Sequence, residues 1–270
     1  MPTIKQEAKA LLKGLSGKYA LFALPIILTI VNFSIVFKEF FQLFTDTGVE
    51  DGDFGVGLFP RIVFYSLDFF SISAFFAILE VIRKERQTVT FHDLTLVFSG
   101  KRFVKLLLTS WIQSLLLIPV SIMMSIGIVL VIPFLLVWVV DTELRYGFPL
   151  LIMALVGLLI LIPSLILFLR QSFHYSQTVF VIYDQVRENR YQGALAAIRE
   201  SKRLMKGHVL ELLKLKLSLI GWHLLTFFTC GLAAIYTLPY ITAIESIFYH
   251  RLREKDLELT TNLETKTLVS

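Results

Sequence analysis

Charge is what this sequence has least of. Asp, Glu, Lys and Arg supply 17% of its 270 residues, where a soluble domain carries nearer a quarter. The deficit is not spread evenly. Tyr19–Phe37, Leu106–Val140, Tyr146–Leu169 and Leu217–Ile244 hold no Asp, Glu, Lys or Arg at all. A membrane span needs about 20 apolar residues, so runs of this kind exclude an ordinary soluble core. Cysteine is down to Cys230 alone, which excludes an intramolecular disulfide and leaves the compartment unreadable from thiols. Enzyme motifs are missing too. There is no H-E-x-x-H zinc helix, no G-x-S-x-G elbow and no G-x-x-x-x-G-K-[ST] phosphate loop. The expectation is a non-enzymatic protein with no cofactor, and no cluster has the spacing of a metal site. A secretory leader is not expected either. Four lysines precede the first apolar run without a small-residue cleavage site after it, so that run is read as a first span.

What is present is apolar mass, 56% of the chain with 24 Phe. The fold class expected is all-α, a polytopic helical membrane protein with about six transmembrane helices and cytoplasmic amphipathic helices at the interface. The spans are placed at about 19–40, 58–82, 103–140, 146–183, 208–230 and 232–250. Residues 1–250 then form a single transmembrane domain, and 251–270 a mobile cytoplasmic tail. The third and fourth spans are too long for one straight crossing. Leu106–Val140 as helix would reach about 52 Å against a hydrocarbon core of about 30 Å. Pro119, Pro133 and Pro163 offer kinks, and each long span is read as one broken crossing or as partly interfacial.

Orientation comes from the cations. Most of the 26 Lys and Arg fall in Met1–Lys18, Arg83–Lys105, Asp184–Lys206 and the tail after His250. Lys38–Gly57, by contrast, sets one Lys against Glu39, Asp46, Glu50, Asp51 and Asp53, and Asp141–Phe148 sets Arg145 against two acids. The positive-inside rule places both termini in the cytoplasm of a multi-pass plasma-membrane protein. Trp138, Tyr146, Tyr236 and Tyr240 fall near the expected outer boundary, as an aromatic belt would.

The basic segments share a pattern. Arg199, Lys202, Arg203 and Lys206 follow i, i+3, i+4, i+7 spacing and line one face of a helix over 194–206. Ala194, Leu195, Ile198, Ser201 and Met205 line the other, and Gly207 suits a C-cap. Cations on one face and apolar groups on the other describe a helix lying on a membrane surface. Lys5, Lys9 and Lys13 repeat that arrangement opposite Ala8, Leu11, Leu12 and Leu15, before Gly14 and Gly17. Phe91, Leu94 and Phe98 keep helical spacing before Gly100. The three segments read as copies of one unit, surface helix, Gly turn and two-span hairpin, or as three independent basic loops.

Ionisable groups inside the apolar runs are functional candidates by default. Asp68 is the sharpest, midway along the second span with Arg61 on a similar face. It reads as an ion or substrate contact, as a buried polar cross-link between helices, or as a pair with Arg61. Arg170 and His174 are one turn apart on the fourth span. Glu80 and Glu245 suit pairing with Arg83 or Arg251, and His223 suits packing beside Trp222.

The stretch "GALAAIRESKRLMKGHVLELLKLKLSLIGWHLLTFFTCGLAAIYTLPYITAIESIFYHRL" at 193–252 resembles bacterial integral-membrane proteins grouped as domain of unknown function 975. Ser201, Leu204, Met205, Gly207, Ser218, Gly221, Trp222, Gly231, Leu232, Pro239 and Tyr240 carry the resemblance. "EAKALLKGLSGKYAL" fits the same family's opening, and the match between these ends is weak. The resemblance implies a multi-spanning protein and brings no catalytic residues. Two functions follow as expectations. One is binding of anionic lipid, or scaffolding of an envelope complex, through basic surface helices, with a membrane-protein partner and no nucleic acid. The other is a transporter or channel component built around Asp68.

Overall fold

The computed structural model describes residues 3–45, 54–98, 100, 102–140 and 147–269. Every named element among them is helical. α1 (Ile4–Gly14) is followed by α2 (Lys18–Thr45) and α3 (Phe54–Ile82), then by a 3-10 helix (Phe91–Phe98). α4 (Arg102–Val140), α5 (Gly147–Tyr175), α6 (Thr178–Arg187) and α7 (Ala194–Met205) come next. α8 (Val209–Leu217), α9 (Ile220–Phe228) and α10 (Ala234–Val269) complete the chain. The acidic segments 46–53 and 141–146, with Tyr146 and the Trp138 side chain, lie outside the described residues.

Three stretches among the described residues are long and apolar enough to cross a membrane: Lys18–Lys38, Arg102–Leu136 and Phe148–Arg187. Six were expected. Residues 58–82, the second expected span, lie within α3, one helix of 29 residues that is not among these three, with side chains described from Leu67 onward. α4 runs unbroken for 39 residues through Pro119 and Pro133, so neither proline breaks it. The fourth expected span divides at Ser176–Gln177, between α5 and α6, and not at Pro163.

The fifth and sixth spans differ most. Residues 208–230 fold as two short helices, α8 and α9, parted at Ser218 and Leu219. Competition for backbone groups explains the break. The Ser218 hydroxyl donates to the Leu215 carbonyl at 2.6 Å, and Lys5 Nζ donates to the Ser218 carbonyl at 3.3 Å. The last helix does not stop near residue 250 but continues to Val269. The tail is therefore helical where the sequence looked unpatterned. His250–Glu254 and Arg253–Asp256 pairs support its first turns.

Two compact units make up the described chain. The first comprises Met1–Phe103 and Glu211–Ser270, the second Val104–Leu210. In the first, Leu21, Phe22, Ala74, Ala77, Ile78, Ala243, Ile244 and Ile247 share one buried cluster. Ala74, Ala77 and Ala243 are fully buried, and small residues of this kind let helix backbones approach closely. In the second, α4 and α5 cross at glycines. A Cβ on Gly127 would stand 2.9 Å from the Leu161 Cα, and one on Gly157 would stand 2.9 Å from the Gly127 carbonyl oxygen. Away from that crossing, large apolar side chains such as Trp111, Leu115, Phe148 and Leu159 are exposed.

The surface helices are real elements, each tied to a long helix. α1 packs on α10, the 3-10 helix on α3 and α2, and α7 on α5 and α6. Each tie includes one arginine and one acid. Arg86 meets Asp93 at 2.6 Å, Arg190 meets Glu200 at 3.2 Å, and Arg251 meets Glu7 at 2.5 Å. Glycines with positive φ follow each surface helix: Gly17 at 81°, Gly100 at 58° and Gly207 at 89°. At Gly17 the requirement is double, because a Cβ there would land on the Val89 carbonyl oxygen.

Candidate lipid-headgroup site

The amphipathic reading of α7 is met almost throughout. Arg199, Lys202, Arg203 and Lys206 are exposed, while Ala194, Ala197, Ile198, Ser201, Leu204 and Met205 are buried. Leu195 departs from it, at 49% exposed. The buried face is fixed by polar contacts as well as packing. The Ser201 hydroxyl donates to the His174 carbonyl at 2.8 Å, and Gln185 Nε2 donates to Glu200 at 2.6 Å. Burial would weaken the positive charge of Arg190, but its bonds to Glu188 and Glu200 outweigh that and hold its pKa above the ordinary value. The cation stripe is thus presented outward by a helix locked on its other side.

α1 is built similarly, with a start that the sequence states plainly. Thr3 accepts a bond from the Gln6 N–H, and the Gln6 side chain accepts from the Thr3 N–H at 3.1 Å. This reciprocal cap is spelled T-I-K-Q. Ala8 is buried, Leu11 and Leu12 half-buried, and Lys9 and Lys13 exposed. Lys5 is turned toward its own chain, at the Ser218 carbonyl.

Lys9 and Lys13 line a cavity of about 370 Å³ within the first unit. Lys18 joins them, and the facing wall is Trp222, Ile235, Tyr236, Pro239 and Tyr240. Lys18 is held in place: its Nζ donates to the Leu12 carbonyl at 2.7 Å and stands 5.2 Å from the centre of the Tyr19 ring. Trp222 and Tyr240 pack edge to face with ring centres 5.3 Å apart. The cavity thus has cations on one side and an aromatic, largely apolar wall on the other. Tyr236 and Tyr240 therefore lie at the lysine-bearing end of α2, and not at the far boundary where an outer belt would place them.

A second cavity, in the other unit, is lined by Ile118, Ser121, Ile122, Ser125, Ile126, Val129 and Leu130. Its hydroxyls bond back to the Leu117 and Ser121 carbonyls at 3.0 Å, so the wall is effectively apolar.

Among the described residues, the ionisable candidates from the apolar runs do not gather. Asp68 is exposed on α3 and lines neither cavity, and the Arg61 side chain lies outside the described residues. Arg170 is exposed, and His174 half-buried with a buried Nδ1 that has no hydrogen-bond partner among the described residues. Glu245 pairs with Lys216 at 3.3 Å and Glu80 with Arg86 at 2.5 Å. His223 is exposed rather than packed, because Trp222 takes the position against Tyr240.

A family model described as "Protein of unknown function (DUF975)" matches residues 2–256. The chain belongs to this family. The match includes the middle of the chain, where the sequence resemblance was weak. No curated protein and no solved structure matches. Of the landmarks that carried the resemblance, Trp222, Pro239 and Tyr240 line the lysine cavity. Lys18, not among the candidates drawn from the sequence, lines the same cavity as Lys9 and Lys13. Its signal was the Lys-Tyr pair at the start of the first apolar run, a cation and an aromatic at a membrane boundary.

Proposed function

We propose that this DUF975 protein is an integral membrane protein that holds anionic phospholipid at its basic helical surfaces. The observation that carries the proposal is the cavity in which Lys9, Lys13 and Lys18 face Trp222, Tyr236 and Tyr240. Three lysines supply point charges for a phosphate, which Lys binds without demanding a fixed fork geometry. The aromatic wall covers the first part of an acyl chain, and Trp and Tyr favour the interface because one end is apolar and the other wet. The stripe on α7 adds a second, more open contact with anionic headgroups.

Lipid retention by the purified protein tests this. Native mass spectrometry should find phosphatidylglycerol retained in preference to phosphatidylcholine. Replacing Lys9, Lys13 and Lys18 by Gln should reduce that retention about tenfold or more. Circular dichroism of the variant checks that the helices survive. A folded variant that keeps as much phosphatidylglycerol as wild type would reject the proposal for this cavity. Gln at Arg199, Lys202, Arg203 and Lys206 tests the α7 stripe separately, and unchanged retention there would point to a protein contact.

A further inference from the structure

Ser218 to Ile244 contains no Asp, Glu, Lys or Arg, yet its helices are too short to cross a bilayer twice. Both ends are tied at one level. The Ser218 carbonyl accepts from Lys5 of α1, and Lys216 pairs with Glu245. From that level α9 rises nine residues, about 14 Å. The return along α10, from Ala234 to Glu245, covers about 17 Å. A third ruler is independent of both. A Cβ on Gly231, at the tip, would stand 3.2 Å from the Ile30 Cα. Ile30 lies about 18 Å along α2 from Lys18. All three lengths are near half of a hydrocarbon core of about 30 Å.

The tip is also built for a place without water. Each backbone N–H from Thr229 to Thr237 donates within the protein. Gly231 donates to the Thr226 carbonyl at 2.8 Å, and Ala233 donates to the Thr229 hydroxyl at 3.0 Å. The Thr226 hydroxyl donates to the Trp222 carbonyl at 3.0 Å and lies 2.8 Å from the Thr237 hydroxyl, from which it can accept. A turn in water can leave such groups to solvent, whereas in hydrocarbon they must be met internally. Outward from this closed backbone stand Leu224, Phe227, Phe228, Leu232 and Ile235, with Phe228 76% exposed.

We infer that Ser218–Glu245 is a re-entrant hairpin that enters and leaves the bilayer on the side of α1, with its tip among the acyl chains of one leaflet. The inference rests on the membrane reading and is independent of headgroup chemistry. Its occupant is hydrocarbon: the exposed tip side chains are apolar, and the tip lies level with the middle of α2, itself long and apolar enough to cross.

Cys230, the only cysteine and exposed at the tip, allows a test on the unaltered chain. Full-length protein in proteoliposomes of phosphatidylglycerol and phosphatidylcholine is treated from each side with a membrane-impermeant maleimide, then with a permeant one. The hairpin predicts labelling by the permeant reagent alone. A fluorophore placed on Cys230 should be quenched at least twofold more by lipids carrying a nitroxide near the chain end than by headgroup-labelled lipids. Labelling by the impermeant reagent from the side opposite Lys18 would mean two full spans and would overturn the inference. Labelling from the Lys18 side, or quenching strongest at the headgroups, would mean a surface hairpin and would overturn it equally. The Lys9, Lys13 and Lys18 Gln variant should give the same depth as wild type, so a failed headgroup site and a failed hairpin leave different signatures.

Discussion

Asp93 stands 2.6 Å from Arg86 and accepts from the Thr90 N–H at 2.7 Å. Burial alone would raise its carboxyl, but the bonds from Arg86 and Thr90 outweigh it, and its pKa lies below the ordinary value. A lowered carboxylate pKa contributes stability that is present in full above the unfolded value of about 3.9 and lost as pH falls through the folded one. Asp93→Asn should therefore lower the Tm at neutral pH, with the gap to wild type closing below about pH 4. A gap of constant size down to strongly acid pH would contradict this. Gly231 makes a second prediction at the same scale. Its φ is 86° and a Cβ would press on Ile30 and Phe33, so Gly231→Ala should cost about 1–2 kcal/mol from the left-handed backbone alone. Gly14, where a Cβ meets nothing within 4 Å, is the control, and Gly14→Ala should leave the Tm within error. Equal losses at both sites in thermal unfolding would show that space and backbone conformation do not decide the outcome.

Helices were legible where one face is charged and the other apolar. The stripe at Arg199, Lys202, Arg203 and Lys206 placed α7, and the left-handed Gly207 ended it. Helices apolar all round gave no such registration. Nothing in Leu106–Val140 distinguishes a kink at Pro133 from a continuous α4, since a helix among neighbours can lose one backbone bond and continue. The break at Ser218 was equally hidden, because it depends on Lys5, more than two hundred residues away, reaching its carbonyl. One signal was present and passed over. Glu80 and Arg86, Asp184 and Arg190, and Glu245 and Arg251 are each six positions apart, and each arginine goes on to hold a surface helix. The crossing of α4 and α5 carries the prediction of this scale. Gly127→Leu must push apart two backbones and should cost about 1–3 kcal/mol or more, read as early loss of helical signal on heating in detergent. Leu at Ser125, which is exposed on the same helix, should be tolerated, and an equally destabilised Ser125→Leu would show that the crossing is not the cause.

For the whole molecule, the half-depth hairpin and a full crossing pair leave the sidedness of the basic segments unchanged. In a Cys230→Ser background, cysteines placed at Gln87 and at Glu254 should react with an impermeant maleimide from one and the same side. Reaction from opposite sides would break the charge-based topology. The division of the chain has a further consequence, for the order in which it folds. The second unit is one uninterrupted stretch, Val104–Leu210, whereas the first is assembled from both ends of the sequence. The bond between Glu7 and Arg251 closes a loop of nearly the entire chain. On the ribosome, α1 must therefore wait until α10 has been synthesised, long after α4 to α7 have been completed. Chains arrested once Leu210 has emerged should already protect the second unit from protease, while α1 stays cleavable until translation passes Arg251. α1, made before α2 to α10, would be among the last of them to find its partner.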